Sequence, residues 1–89
     1  MYQVLLLDEA KDDLRKLQKK SKDTAQLVAQ KLKWLGENAG AMQHQALQVP
    51  FAGFYKRHVG DYRIIYKVDH PAKVITVFRI GNRRDVYRA

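Results

Sequence analysis

One stretch constrains this chain more than any other: Gly53-Phe54-Tyr55-Lys56-Arg57-His58-Val59, then Gly60-Asp61, then Tyr62-Arg63-Ile64-Ile65-Tyr66-Lys67-Val68. Two runs rich in β-branched and aromatic residues, separated by a pair whose first member is glycine, specify a β-hairpin closed by a type II′ turn. That turn sets the register. Val59 is expected opposite Tyr62, His58 opposite Arg63 and Lys56 opposite Ile65. Because side chains alternate across a strand, Lys56, His58 and Arg63 then share one face. The other face carries Tyr55, Val59, Tyr62, Ile64, Tyr66 and Val68, an apolar surface suited to lie beneath helices and interrupted by Arg57.

A turn over residues 69–73 leads to a further strand, residues 74–80, which Gly81-Asn82 ends with arginines at its mouth. Upstream, residues 2–7 read as a short strand, apolar enough to sit inside a sheet rather than at its edge. Asp8 is expected to cap a helix, with Glu9, Asp12 and Asp13 placing negative charge near its positive end. Ala10, Leu14 and Leu17 recur at spacings of four and three, and Lys19-Lys20 closes the segment. A second helix starts at Ser21 or Asp23 and runs to about Asn38 on Ala25, Val28, Leu32 and Leu35, with Trp34 expected in the core. Residues 36–50 carry two glycines and little periodicity, and read as a connector.

The predicted order is β-α-α-β-β-β. It describes one α+β domain over residues 1–89, a helical hairpin packed on a small, mostly antiparallel twisted sheet. A first strand lying beside the last would pair with it in parallel.

Seventeen Lys and Arg against nine Asp and Glu give a formal charge of +8, which points to a polyanionic partner, either nucleic acid or an acidic protein. The chain has no cysteine, which excludes disulfides and thiol catalysis, and its three histidines lack metal-ligand spacing. No metal and no cofactor are expected. No apolar run approaches the roughly 20 residues of a membrane span, and the N-terminus lacks the features of a secretory leader, so the expected compartment is the cytoplasm. His44 and His70, in expected loops, read as solvent residues, while Phe78 reads as core together with Tyr55, Tyr62 and Tyr66.

Two segments together, the hairpin from Gly53 to Tyr66 and the ending Arg79-Ile-Gly-Asn-Arg-Arg-Asp-Val-Tyr-Arg88, resemble the RelE branch of the RelE/ParE toxin superfamily of type II toxin–antitoxin systems. The resemblance implies a RelE-like microbial RNase fold and a ribosome-dependent, metal-independent endoribonuclease that cuts mRNA in the ribosomal A site. It also implies neutralisation by a cognate, RelB-like antitoxin, with operator DNA contacted only through the toxin–antitoxin complex. Lys56 matches a basic position on the first hairpin strand, and His58 stands where a second Lys or Arg is usual. Arg63 matches the arginine after Gly-x-Tyr, Arg83 the arginine after the strand-ending glycine, and Tyr87 a tyrosine near the C-terminus.

Metal-free RNA cleavage needs a proton acceptor for the attacking 2′-hydroxyl, a cation for the charge that accumulates on phosphate, and a proton donor for the leaving 5′-oxygen. Arginine suits the middle task because its planar, permanently charged fork matches phosphate oxygens, and Arg63 and Arg83 are assigned to it. A histidine, with an ordinary pKa of about 6.5, serves as acid or base near neutrality. A lysine becomes a base only where its neighbours lower its pKa. The choice of general base between Lys56 and His58 stays open, and Tyr87 is assigned to base stacking or proton relay. Arg57, Arg79, Arg84 and Arg88 are candidates for RNA contact. Two alternatives remain: a ParE-like inhibitor of DNA gyrase, and a degenerate toxin acting as an antitoxin-bound co-repressor.

Overall fold

The computed structural model describes residues 1–46 and 53–82. In chain order these form β1 (Gln3–Leu6), α1 (Asp8–Lys20), α2 (Lys22–Asn38), β2 (Gln45–Ala46), β3 (Tyr55–Val59), β4 (Tyr62–Asp69) and β5 (Val74–Asn82). The sheet order is β1-β5-β4-β3-β2, with β1 parallel to β5 and the other pairings antiparallel. This is the expected α+β fold with one addition, the two-residue β2 inside the expected connector.

The hairpin register is the expected one: Val59 faces Tyr62, His58 faces Arg63 and Lys56 faces Ile65. Gly60 takes a φ of +59° while Asp61 does not enter positive φ, the signature of a type II′ turn. A side chain at Gly60 would have space but would be strained by that backbone.

Three local expectations are corrected. First, β1 lies at the sheet edge rather than inside it. Its side chains alternate, Val4 and Leu6 partly buried against the core and Leu5 and Leu7 exposed, so an apolar run here does not mean burial on both faces. The strand is held on the helix side where the Tyr2 amide donates to the Gly36 carbonyl at 2.7 Å. A Cβ on Gly36 would stand 2.9 Å from the Tyr2 carbonyl oxygen, so the docking needs glycine. Second, Asp8 is the first residue of α1 rather than its cap; Leu7 takes the cap position without a side-chain bond. Ser21 is the better cap, its hydroxyl accepting from the Thr24 amide to start α2. Third, Trp34 sits at the margin of the core, its ring 4.6 Å from the Lys31 ammonium and 4.7 Å from the Arg57 guanidinium.

The core lies between the helices and one face of the sheet. Ala10 and Leu17 of α1 and Ala25, Val28, Leu32 and Leu35 of α2 pack on Val59, Ile64, Tyr66, Ile75, Val77 and Ile80. Each large aliphatic side chain so enclosed contributes about 1.5–3 kcal/mol. On β5 the apolar period skips from Val77 to Ile80 because a bulge intervenes: Ile65 pairs with Arg79 but Tyr66 with Val77, leaving Phe78 as the extra residue. Asp13 of α1 secures that bulge. Its carboxylate accepts from the Ile80 amide at 2.9 Å and from Arg79 Nε at 2.8 Å and Nη2 at 3.3 Å. Among the described residues no helix is long and apolar enough to cross a membrane.

Candidate functional site

The helices cover one face of the sheet, and among the described residues no element covers the other, open face. On that open face β3 and β4 carry Lys56, His58 and Arg63, with His58 directly opposite Arg63. Directly opposed residues of an antiparallel pair have Cα atoms about 4.5–5.5 Å apart, so the imidazole and the guanidinium share one small area. His58 is exposed, Lys56 and Arg63 are partly buried, and Arg63 Nε is shut off from solvent. Ile65, opposite Lys56, is buried yet lies outside the helix-side core cluster, so it floors this face. Alternation along two paired strands is thus enough to bring the three expected residues together.

Other expected positions fall elsewhere. Arg57 points to the helix side, where its guanidinium lies over Trp34, because alternation turns it away from Lys56 and His58. It does not join the cluster. Arg79 is committed to Asp13, and this hydrogen bond, above all other influences, raises its pKa beyond the ordinary arginine value. Arg79 thus performs a structural task, closing the β5 bulge onto α1. Arg83, Arg84, Tyr87 and Arg88 lie outside the described residues. The described part of β5 ends at Gly81-Asn82, opposite Arg63 and Tyr62.

Both histidines read as solvent residues have partners. His44 Nε2 is 2.9 Å from the Ala39 carbonyl, which can only accept, so this nitrogen carries the hydrogen. Nδ1, 2.7 Å from the Tyr66 hydroxyl, accepts from it in the neutral ring. Burial pushes the Tyr66 hydroxyl up to about 12, which keeps it a donor. The pair links the C-terminal end of α2 to β4. His70 is exposed, but its Nδ1 lies 2.8 Å from the Tyr2 hydroxyl. Neither bond was legible in the sequence, because the partners lie 22 and 68 positions away.

Phe78 also departs from expectation. It follows the buried Val77, so alternation turns it onto the open face, where its ring meets Phe54 edge-on at 4.8 Å between centroids, and the bulge beyond it brings Ile80 back to the core side. Tyr55, Tyr62 and Tyr66 do pack in or against the core. Among the described residues no group of three or more His, Asp or Glu side chains converges as a metal site.

A helical layer on one face and a cationic, partly aromatic opposite face thus make up a small α+β domain. A chain from the toxin–antitoxin complex RelBE2 of Mycobacterium tuberculosis superposes with a TM-score of 0.79 at 23% identity, covering 92% of this chain and 98% of that one. YafQ from E. coli gives 0.80 at 19% identity over 99% and 100% of the two chains, and a YoeB–YefM complex from Staphylococcus aureus 0.72 at 18% over 93% and 98%. These likenesses establish the fold. The family described as ParE toxin of type II toxin-antitoxin system, parDE, matches residues 4–87, and the chain belongs to it. No curated protein sequence matches the chain.

Proposed function

We propose that this protein is the toxin of its system by acting as a ribosome-dependent mRNA endonuclease in the cytoplasm. The observation that carries the reading is the juxtaposition of Lys56, His58 and Arg63 on the open face, with His58 opposite Arg63. Lys56 or His58 takes the proton from a ribose 2′-hydroxyl, whose oxygen attacks the adjacent phosphorus. Arg63, joined by Arg83 from the segment after β5, holds the phosphate oxygens as negative charge builds on them. The bond from phosphorus to the 5′-oxygen breaks, the second member of the Lys56/His58 pair or Tyr87 returns a proton to that oxygen, and a 2′,3′-cyclic phosphate remains. Affinity for message and ribosome comes largely from cation–phosphate contacts and falls steeply with salt. Solved relatives are complexes named RelBE2 and YoeB–YefM. A cognate antitoxin with an acidic or amphipathic segment is accordingly proposed for this +8 chain.

Primer extension on a defined mRNA, with and without translating ribosomes, tests the reading. Stops confined to ribosome-bound message and aligned to the A-site codon are expected, and Arg63→Ala should lower their rate about 10²–10³-fold while the protein stays folded. Folded, antitoxin-free protein that yields no stops would overturn it.

The family description itself favours a second reading, a ParE-like inhibitor of DNA gyrase. A supercoiling assay separates the two: gyrase inhibition that survives Arg63→Ala, without RNA cleavage, would establish this alternative.

A further inference from the structure

Beside the Lys56–His58–Arg63 cluster the open face carries a second group that sequence reasoning did not single out. Phe54 precedes β3 and by alternation points to the same side as Lys56 and His58. Continuing the β3–β4 register one step beyond Tyr55 and Tyr66 sets Phe54 opposite Lys67, which in turn faces Thr76 on β5. Phe78, two residues beyond Thr76 on β5, stands on the same face and meets them. The two phenylalanine rings stand at 84° to each other, and the Lys67 ammonium lies 4.4 Å from the Phe54 centroid and 5.6 Å from that of Phe78. Neither ring belongs to the helix-side core cluster, and Lys67 is exposed. A shallow depression of about 480 Å³ opens from Lys67 and Phe78 toward Thr76 and His70.

We propose that Phe54 and Phe78 with Lys67 form a stacking subsite for one nucleobase of single-stranded RNA, the base of a nucleotide flanking the one held at Lys56, His58 and Arg63. The inference rests on the nuclease reading and adds a specific grip to it. Phe54 and Lys56 are two residues apart on one face, about 7 Å along the strand, a separation comparable to one nucleotide step of an extended chain. An aromatic face takes any base, and the ammonium now resting on Phe54 is placed to swing onto the backbone phosphate once a base covers the ring. The charge supports this occupant: an apolar side chain from a protein would satisfy the rings but leave the Lys67 and neighbouring Lys56 ammoniums without anions. The subsite is tolerant of base identity, so it grips the message rather than reads it.

The test is equilibrium binding at low salt of a short oligoribonucleotide carrying 2-aminopurine, followed by anisotropy and by quenching of the fluorescent base. Wild-type protein should bind and quench. Phe54→Leu/Phe78→Leu, which keeps apolar volume and loses both rings, should lose the quench and bind about tenfold to a hundredfold more weakly, and Phe54→Tyr should retain both signals. Circular dichroism checks that each variant folds, and should the leucine pair fail to fold, the wild-type quench still decides. Oligonucleotide binding without quench, or a folded leucine variant that binds as tightly as wild type, overturns the subsite; the nuclease reading then stands or falls separately on ribosome-dependent cleavage. A leucine variant that keeps its affinity for RNA but no longer binds the cognate antitoxin would show the pair to be a protein-docking surface instead. No binding by wild-type protein overturns the inference outright.

Discussion

The two faces of this sheet are built from the same strands and obey opposite rules. Toward the helices, Ile64, Tyr66, Ile75 and Val77 are buried, and the one buried hydroxyl in that set finds a partner in His44. On the other side, one residue along each strand, stand Lys56, His58, Arg63 and Lys67. Alternation puts the core on one face and these cationic side chains on the other, so the two are separable by mutation. A core that also supplied the chemistry would bury charges at a desolvation cost of several kcal/mol per ion.

The comparison predicts a graded series. Ile64→Ala on the helix face should cost about 2–5 kcal/mol of unfolding free energy in urea, through lost burial and the cavity left behind. A loss below about 1 kcal/mol would mean that this face is not the core. Tyr66 gives the next effect through pH. Its hydroxyl, raised to about 12 in the folded state, keeps its proton where the unfolded chain ionises near 10. Between these values the unfolded state binds fewer protons than the folded one, so stability falls as pH rises. It should be fully present below about pH 10 and drop by about 2–3 kcal/mol on approaching pH 12, measured by urea titration at several pH values; Tyr66→Phe should remove most of that slope.

Asp13→Ala should cost about 1–3 kcal/mol, because the Ile80 amide and the Arg79 guanidinium both lose their acceptor at the bulge. Hydrogen exchange should show the Ile80 amide opening more readily than in the wild type. At the small end, His58→Ala on the open face should change stability by no more than about 0.5 kcal/mol while altering the pH–rate profile of the proposed RNA cleavage. A larger stability loss would show that the open face shares in holding the fold and would blunt the division between the two.

Much of this architecture is legible in short-range pattern. Gly60-Asp61 fixes the hairpin, its register follows from the turn, and Ala25, Val28, Leu32 and Leu35 announce the buried stripe of α2; all four are buried. What escaped reading depends on distant partners. Residues 2–7 looked like an interior strand because apolar content does not say how many neighbours a strand has, and β1 has β5 alone among the described strands. His44, placed correctly in a loop, looked like a solvent residue because a carbonyl five positions back and a tyrosine hydroxyl 22 positions on are brought together only by folding. Phe78 was assigned to the core because an aromatic side chain suits the packed face these strands need, yet it follows the buried Val77 and so turns to the other side, and Asp13, read as a dipole partner, is the acceptor on which the β5 bulge closes.

The amino-acid sequence alone therefore determined the order of elements, the hairpin and the shared face of Lys56, His58 and Arg63, since period-2 and helical spacing are local properties of the chain. Only the tertiary structure decided that Arg57 and Arg79 serve Trp34 and Asp13, that His44 joins α2 to β4, and that Phe54, Lys67 and Phe78 meet. Each of those outcomes turns on strand order, on a single inserted residue or on the reach of a long side chain, and these are settled by packing between elements far apart in the chain.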